Sequence, residues 1–571
     1  MTTARLGAVA GRKTLQDMNE VFDFVVVGSG GGSMCAALVL RKAGKSVLIL
    51  EKTDLVGGST AKAGGVMWIP DNRFMKAQGI EDSYEKATAY LDAVVGDHAD
   101  APGASRERRQ TYLRQAPEMI DFLVSQGIKL HRSPYWPDYY DERAGGSAPG
   151  RTVVAELFNV NELGPWKRKL RPNMFQLPAP IYDATQLPLI KVSWSAKRLA
   201  FRTALRGLTA KLTGKHWVTA GAALQGRMLQ AALKASVEIR TEAPVRELIQ
   251  DDSGAVVGVL TAKDGREWLV GARSGVLLNA GGFAHNQEML DKYIPNVRAE
   301  WTHAAPGDTG DMHRELMRIG AAMAQMEEMV GNQMTLPPGL GPQGVQMQLA
   351  KPHAFLVDQS GERYMNEGGS YMEFCQGMLA RHQTVPAVPS WWIMDSQYIQ
   401  RYMLADTMPG AGKPAAWLSE GYLHKADTIE GLAKTCGVDP LKLKATTERF
   451  NGFARTGRDE DFHRGARAYD RWLGDPTHKP NPALGTVEKG PFYAVTVVPG
   501  NVGTFGGVVT DAYARVLRED GTVLAGLYAT GTTTAAVMGR TYPGAGCSIG
   551  PSFTWGYVAA QHAANIGNRP A

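Results

Sequence analysis

Gly28, Gly30 and Glu51 are the residues whose types and spacing carry the plainest chemistry in this chain. The run Phe24-Val-Val-Val-Gly28-Ser29-Gly30-Gly-Gly32-Ser33 takes a short apolar strand into a glycine turn. An acid follows 23 residues after the first glycine, at the end of the next apolar run. Gly28 permits a tight turn, and Gly30 lets backbone N–H groups approach a pyrophosphate at a helix N-terminus. Glu51 can accept hydrogen bonds from a ribose. The pattern predicts a dinucleotide site with Ser29, Gly32 and Lys52 beside it. Ser33 replaces the third glycine, so the helix is expected to approach its strand slightly less closely.

A β-α-β frame must position these groups: Phe24–Val27, a helix from about Gly31 to Ala43, and Val47–Leu50. Ser105–Gln126 reads as an amphipathic helix. A meander (Val237–Leu248, Val256–Thr261, Glu267–Val270) leads to a buried strand that starts at Gly275 and ends in Ala280-Gly281-Gly282. Thr309-Gly310-Asp311 opens another helix. Near the C-terminus, Gly526-Leu-Tyr-Ala-Thr-Gly531 again runs a strand into glycine. The chain therefore returns to its first domain after a Met-, Trp- and Tyr-rich excursion over residues 328–503. The expected fold is α/β: a Rossmann-like domain (1–327 and 504–571) with a parallel sheet and β-meander, carrying an inserted α+β catalytic domain (328–503).

That return discriminates between cofactors. A nicotinamide fingerprint is self-sufficient, whereas in two-dinucleotide-fold flavoproteins a distant A-x-G segment covers the flavin end. Gly58, Ser59, Thr60, Gly64 and Gly65 fit this picture, because small residues let backbone amides lie against an isoalloxazine ring. FAD is the expected cofactor, with Val245, Ala280, Gly281, Gly282, Asp311 and Gly531 completing its walls. No histidine neighbours the glycine loop, so the flavin is expected without a covalent link.

Composition narrows the class. Length of 571 residues implies two domains, and 44% hydrophobic with 21% charged residues describes an ordinary globular protein. Cys35, Cys375, Cys436 and Cys547 lie far apart, so neither a disulfide framework nor a metal site is expected, and a reducing cytoplasm is. The histidines lack ligand spacing. Met1–Glu20 is polar, without the apolar core of a signal peptide, and no apolar run is long enough to span a bilayer. Net charge is +6, yet between Trp166 and Trp217 eleven Lys or Arg face one acid, Asp183, leaving the remainder net acidic. Basicity this local argues against nucleic acid and for one special surface.

Several motifs together resemble the 3-ketosteroid Δ1-dehydrogenases over nearly the whole chain. They are Val27-Gly-Ser-Gly, Leu50-Glu-Lys-Thr-Asp, Gly57-Gly-Ser-Thr, Asp138-Tyr-Tyr140, Gly361-Glu-Arg-Tyr-Met-Asn-Glu367, Phe450-Asn-Gly-Phe-Ala454 with Asp461-Phe-His-Arg-Gly465, Gly490-Pro-Phe-Tyr493 and Gly539-Arg-Thr-Tyr542-Pro-Gly-Ala-Gly546. Y-P-G-x-G is the most diagnostic, since the flavin fingerprints alone would fit fumarate reductases and aspartate oxidases. The resemblance implies 1,2-desaturation of a 3-ketosteroid, with hydride transfer from C1 to flavin N5. By motif, the Tyr542 hydroxyl and Gly546 N–H hold the C3 oxygen, Tyr371 removes the C2 proton, and Tyr139 hydrogen-bonds that base, with Tyr140 its nearest rival. Tyr364 and Tyr493 are expected to pack or position. A free tyrosine has a pKa of about 10, so activity should rise toward alkaline pH. Rival readings are a fumarate-reductase-like enzyme, which needs Arg and His to clamp two carboxylates, and a 3-ketosteroid Δ4-(5α)-dehydrogenase. The latter is understood to carry serine soon after the corresponding tyrosine, where this chain has Pro-Gly-Ala-Gly. Phe505 stands where many relatives have lysine. With one dinucleotide fingerprint, the electron acceptor is expected to be a quinone or similar rather than a nicotinamide.

From Trp194, the residues Trp194, Phe201, Leu205, Leu208 and Leu212 follow helical spacing, with Lys197, Arg198, Arg202, Arg206 and Lys211 interleaved. Such a helix is suited to an anionic bilayer surface. The bland alternative packs the apolar stripe on the protein body. With a sterol-like substrate in view, peripheral contact through residues 166–217 with the cytoplasmic face of a membrane is expected.

Overall fold

The computed structural model describes residues 12–175 and 177–565. Met1–Gly11, most of the polar N-terminal stretch discussed above, lies outside the described residues. β1 (Glu20–Val27), α1 (Gly31–Lys42) and β2 (Val47–Leu50) form the opening β-α-β unit. β1 runs parallel to β2 on one side and to β3 (Arg266–Leu278) on the other, and β4 (Val523–Ala529) lies parallel beyond β3. A strand buried on both faces must be apolar throughout, and Val47–Leu50 is buried at every residue. These strands belong to an eight-stranded sheet in which residues 20–278 and 515–529 meet. Their carboxyl ends open on one crevice, where such sheets bind ligands.

The meander differs from its sequence reading. Val237–Leu248 is two strands: Glu238–Arg240 extends the parallel sheet beside β2, and Glu247–Gln250 joins the antiparallel meander. Glu242 at φ +58 and the following Pro244, which has no N–H to give a ladder, break the run. Conversely, Glu267–Val270 and the strand from Gly275 are one element, β3. Its first half pairs with Val256–Lys263 and its second with β1 and β4. The predicted helix at Ser105 forms over Arg106–Ser125, with the Ser105 hydroxyl accepting from the Arg108 N–H.

Helix α2 (Trp194–Leu212) turns small residues, Ala196, Thr203 and Ala210, toward the protein body. Its large apolar residues face out: Trp194 is 77% exposed, Phe201 71% and Leu212 78%. The stripe is not a packed face.

The second body is an antiparallel sheet built from strands between Met329 and Thr504. Its long strand Phe492–Thr504 reaches back to the first sheet, where the Thr504 hydroxyl accepts from the Phe283 N–H at 3.2 Å. The helix Tyr371–His382 lies on Met329–Thr335, and bare Gly331 makes room for Cys375.

The last helix, α3 (Ile549–Ala563), closes over α1. The two backbones meet at Gly32 and Gly556, where an added Cβ on Gly556 would lie 2.2 Å from the Gly32 carbonyl oxygen. Gly556→Ala is therefore expected to cost about 1–3 kcal/mol and lower the thermal midpoint. An unchanged midpoint would contradict the close crossing.

Candidate active site

A cavity with about 1170 Å³ of atom-free space, counting its mouth, lies at the carboxyl ends of β1, β2 and β3. Gly28, Ser29, Gly30, Glu51, Lys52, Gly58, Ser59, Thr60, Val245, Ala280, Gly281, Asp311 and Gly531 line it. Gly28 sits at φ +92 with no room for a side chain, since a Cβ would fall 2.2 Å from the Asn279 carbonyl oxygen. Glu51 is buried and organises both banks of the cavity: one carboxylate oxygen accepts from the Ser29 hydroxyl at 2.5 Å, the other from Thr53 N–H and O–H at 2.9 Å. The Ser29 hydroxyl in turn accepts from Gly57 N–H. Lys52 spans the opening to Asp311 at 2.6 Å and Thr309 at 2.7 Å.

Gly32, Ser33, Gly64, Gly65 and Gly282 are not brought to the cavity wall. Gly32 serves the crossing with α3, and Gly65 lets the chain pass against Gly221. Gly64 is half-buried, and a Cβ there would make only an ordinary contact, 3.9 Å from a Val66 methyl. Gly282 donates its N–H to Asp308 and leaves room for Thr504. Ser33 is fully buried, and its hydroxyl accepts from the Asn279 amide at 2.9 Å, so the extra atom ties α1 to the end of β3.

Other wall residues have no sequence motif. Asp308 is buried beside Gly281, and burial pushes its carboxyl up to about 7. Arg171, counted above within a basic surface segment, turns inward instead: it is buried, and its guanidinium donates to Thr53 Oγ1 at 2.8 Å and the Leu55 carbonyl at 3.1 Å. Its Nε is left without a partner. Bare glycine backbone, hydroxyls, one unsatisfied guanidinium nitrogen and Lys52 suit a large anionic dinucleotide.

Against this cavity stands a cluster of phenols. The Tyr139 ring meets Tyr371 edge-on at 5.5 Å and Tyr542 at 5.9 Å; Tyr371 and Tyr542 are 5.0 Å apart. Tyr140 is elsewhere, under the Arg467 guanidinium. Tyr364 bonds Ser390. Phe505 is buried and tilts against Tyr542 at 5.9 Å. Two members were missed from sequence. Tyr469 stacks on Tyr139 at 4.1 Å and accepts from the Gln346 amide at 2.5 Å; it lies just beyond the Asp461–Gly465 motif. Ser548 lines the cofactor cavity and bonds Tyr542 twice, its hydroxyl at 2.9 Å and its N–H at 3.2 Å. The Ser548 N–H donates to the Tyr542 oxygen, and when the Ser548 hydroxyl donates as well the Tyr542 proton is free for a third partner.

Gly546 supplies the other donor. Its φ is +102, and a Cβ would lie 2.5 Å from the Val66 carbonyl oxygen, so only glycine fits the turn. Its carbonyl accepts from Gly550 and Trp68 N–H, while its own N–H donates to none of the described residues. Burial governs the acidities. It raises Tyr542 to about 12, partly offset by the Ser548 bonds. It pushes Tyr371 well above the ordinary phenol range, and the neighbouring Tyr139 and Tyr542 push the same way. A donor pair beside buried phenols, with no charged side chain bonded to them among the described residues, suits a polarised ketone.

A family of FAD binding domains matches residues 23–549. The 3-oxosteroid 1-dehydrogenase of Mycolicibacterium smegmatis is 40% identical over 557 residues, covering 95% of this chain and 97% of that protein. The 4-oxocyclohexanecarboxylate 2-dehydrogenase of Sinomonas cyclohexanicum is 34% identical, covering 95% and 92%. The structure of 3-ketosteroid delta1-dehydrogenase from Sterolibacterium denitrificans, in complex with 1,4-androstadiene-3,17-dione, matches with a TM-score of 0.89 at 34% identity, over 96% of this chain and all of that one. With its glycine cradle, its phenol cluster and these relatives, the chain belongs to the 3-ketosteroid Δ1-dehydrogenase family of FAD-binding proteins.

Proposed function

We propose that this protein desaturates the C1–C2 bond of 3-ketosteroids, with residues 1–327 and 504–571 binding FAD and residues 328–503 completing the substrate site. The convergence of Tyr371, Tyr139, Tyr542 and the unused Gly546 N–H beside the cofactor cavity carries this reading. Tyr542 and Gly546 donate to the C3 oxygen, which makes the C2 hydrogens acidic. Tyr371 takes the C2 proton as a phenolate, and Tyr139 stabilises that phenolate by donating to it. Bound FAD supplies the oxidant that accepts the C1 hydride. The Δ4-(5α) alternative has less support, because Pro-Gly-Ala-Gly follows Tyr542. A quinone-like acceptor fits the single dinucleotide fingerprint.

Helix α2 supports peripheral membrane contact. Its exposed apolar stripe is interleaved with five cations, each worth roughly 1 kcal/mol near an anionic surface. No described helix is long and apolar enough to cross a membrane.

Tyr371→Phe is expected to lose turnover and C2-proton exchange together by roughly 10²–10⁴; near-normal exchange would remove Tyr371 from the role. In the native enzyme, kcat/KM should climb by about tenfold per pH unit on the alkaline side, because the phenol is raised and its reactive form is the deprotonated one. The climb should end as Tyr542, at about 12, loses the proton it donates. A flat profile from neutral to alkaline pH would contradict a phenolate base. Flotation with anionic liposomes should be strong for the native chain and weak after Trp194→Ser, Phe201→Ser and Leu212→Ser together; equal flotation excludes the helix as an anchor.

A further inference from the structure

A second cavity, with about 1130 Å³ of atom-free space, opens between the start of α2 and the helix Ala468–Leu473. It is tied to the phenol cluster through Trp472, which lines it and stacks on Tyr469 at 6.0 Å, the ring that covers Tyr139. Two cations stand in its wall, Lys351 and Arg471.

Lys351 is 5% exposed. Two of its three N–H groups reach backbone carbonyls, those of Leu473 and, at 2.8 Å, Gly474. No described carboxylate forms an ion pair with it. Asp475 tempers it from farther off, with oxygens already accepting from the Tyr402 and Thr477 hydroxyls. Arg471 likewise meets carbonyls alone, those of Gly465 and Ala466 at 2.9 Å. A buried cation without a counter-charge is costly, and its desolvation draws Lys351 down to about 8. An anion entering the cavity would supply the missing partner, and the Ser193 and Ser195 hydroxyls at the foot of α2 offer further hydrogen bonds.

We propose that this cavity is a subsite for a carboxylate carried on the C17 side chain of a 3-ketosteroid whose ring ketone sits at Tyr542 and Gly546. The inference rests on the function proposed above. It makes Lys351 and Arg471 specificity-determining residues that choose acidic-side-chain steroids over neutral ones, through binding and not through the chemical step.

The test compares anaerobic flavin reduction by 3-oxochol-4-en-24-oate and by its methyl ester, which differ in charge and in one methyl group. The acid should bind at least about tenfold more tightly than the ester at low salt, the size of one charge-assisted hydrogen bond, with similar limiting rates. The preference should shrink as ionic strength rises and approach one in Lys351→Met and in Arg471→Gln. Arg471 is exposed, so its variant keeps the test informative even where loss of the buried lysine harms folding. Pentanoate alone should compete weakly; if it binds as tightly as the steroid acid, the site is one for free anions and the proposal fails. Equal binding of acid and ester also overturns it, while reduction by the ester leaves the desaturase reading standing. If neither steroid nor androst-4-ene-3,17-dione bleaches the flavin, both readings fall.

Discussion

The Tyr542 hydroxyl and Gly546 N–H, the pair proposed to donate to one oxygen, lie on a turn that is held at the Pro543 carbonyl. That oxygen accepts from the Tyr90 hydroxyl at 2.6 Å and from the Tyr139 N–H at 2.9 Å. One carbonyl thus couples the proposed donor side of the site to Tyr139, the residue proposed to assist the base. Below it, Trp68 fills the space that a side chain on Gly544 would need, and its indole donates to Asp138 at 2.8 Å. Asp138 precedes Tyr139 in the chain and pairs with buried Arg151 at 2.5 Å, which also holds Asp82. Removing one partner from such a buried set leaves an uncompensated charge, so the frame has a single arrangement.

Burial then acts in opposite senses on the two kinds of phenol. In a water-poor site a neutral donor aimed at a developing oxyanion is strengthened, which favours Tyr542 and the Gly546 amide. The same burial opposes ionisation of Tyr371. Tyr542 is eased by the two Ser548 bonds and Tyr139 by contacts with Tyr371 and Tyr469. In the arrangement seen here Tyr139 and Tyr542 also push Tyr371 upward, so the proposed base needs Tyr139 to turn its proton toward it to hold a phenolate without a cation.

The cofactor cradle was largely legible in sequence because its constraints are local. Gly28 at positive φ, Glu51 at a strand end and Asp311 at a helix start are each dictated by neighbours a few residues away. Residues whose roles depend on distant contacts were not legible. Arg171 sits in a cationic run, and nothing in its neighbours says that it alone turns inward to Thr53. Tyr469 carries no motif and joins the site through a stack on a tyrosine 330 positions earlier. Val237–Leu248 read as one strand because periodicity weighed neither Pro244, which the sequence shows, nor the left-handed residue at Glu242, which it does not. For α2 the apolar stripe was visible from spacing, but only its burial could say which way it faced.

The proposed ring-ketone site at Tyr542 and Gly546 and the cavity at the foot of α2 are thus joined by the packed rings of Tyr139, Tyr469 and Trp472. The central claim is that neutral donors at positions 542 and 546 polarise that ketone. Difference infrared spectroscopy of bound androsta-1,4-diene-3,17-dione, isotopically labelled at the C3 oxygen, reads this directly. The C3 carbonyl stretch should fall below its value in water and recover toward it in Tyr542→Phe. A stretch that matches an apolar solvent in the native enzyme, and does not move in the variant, would contradict the account.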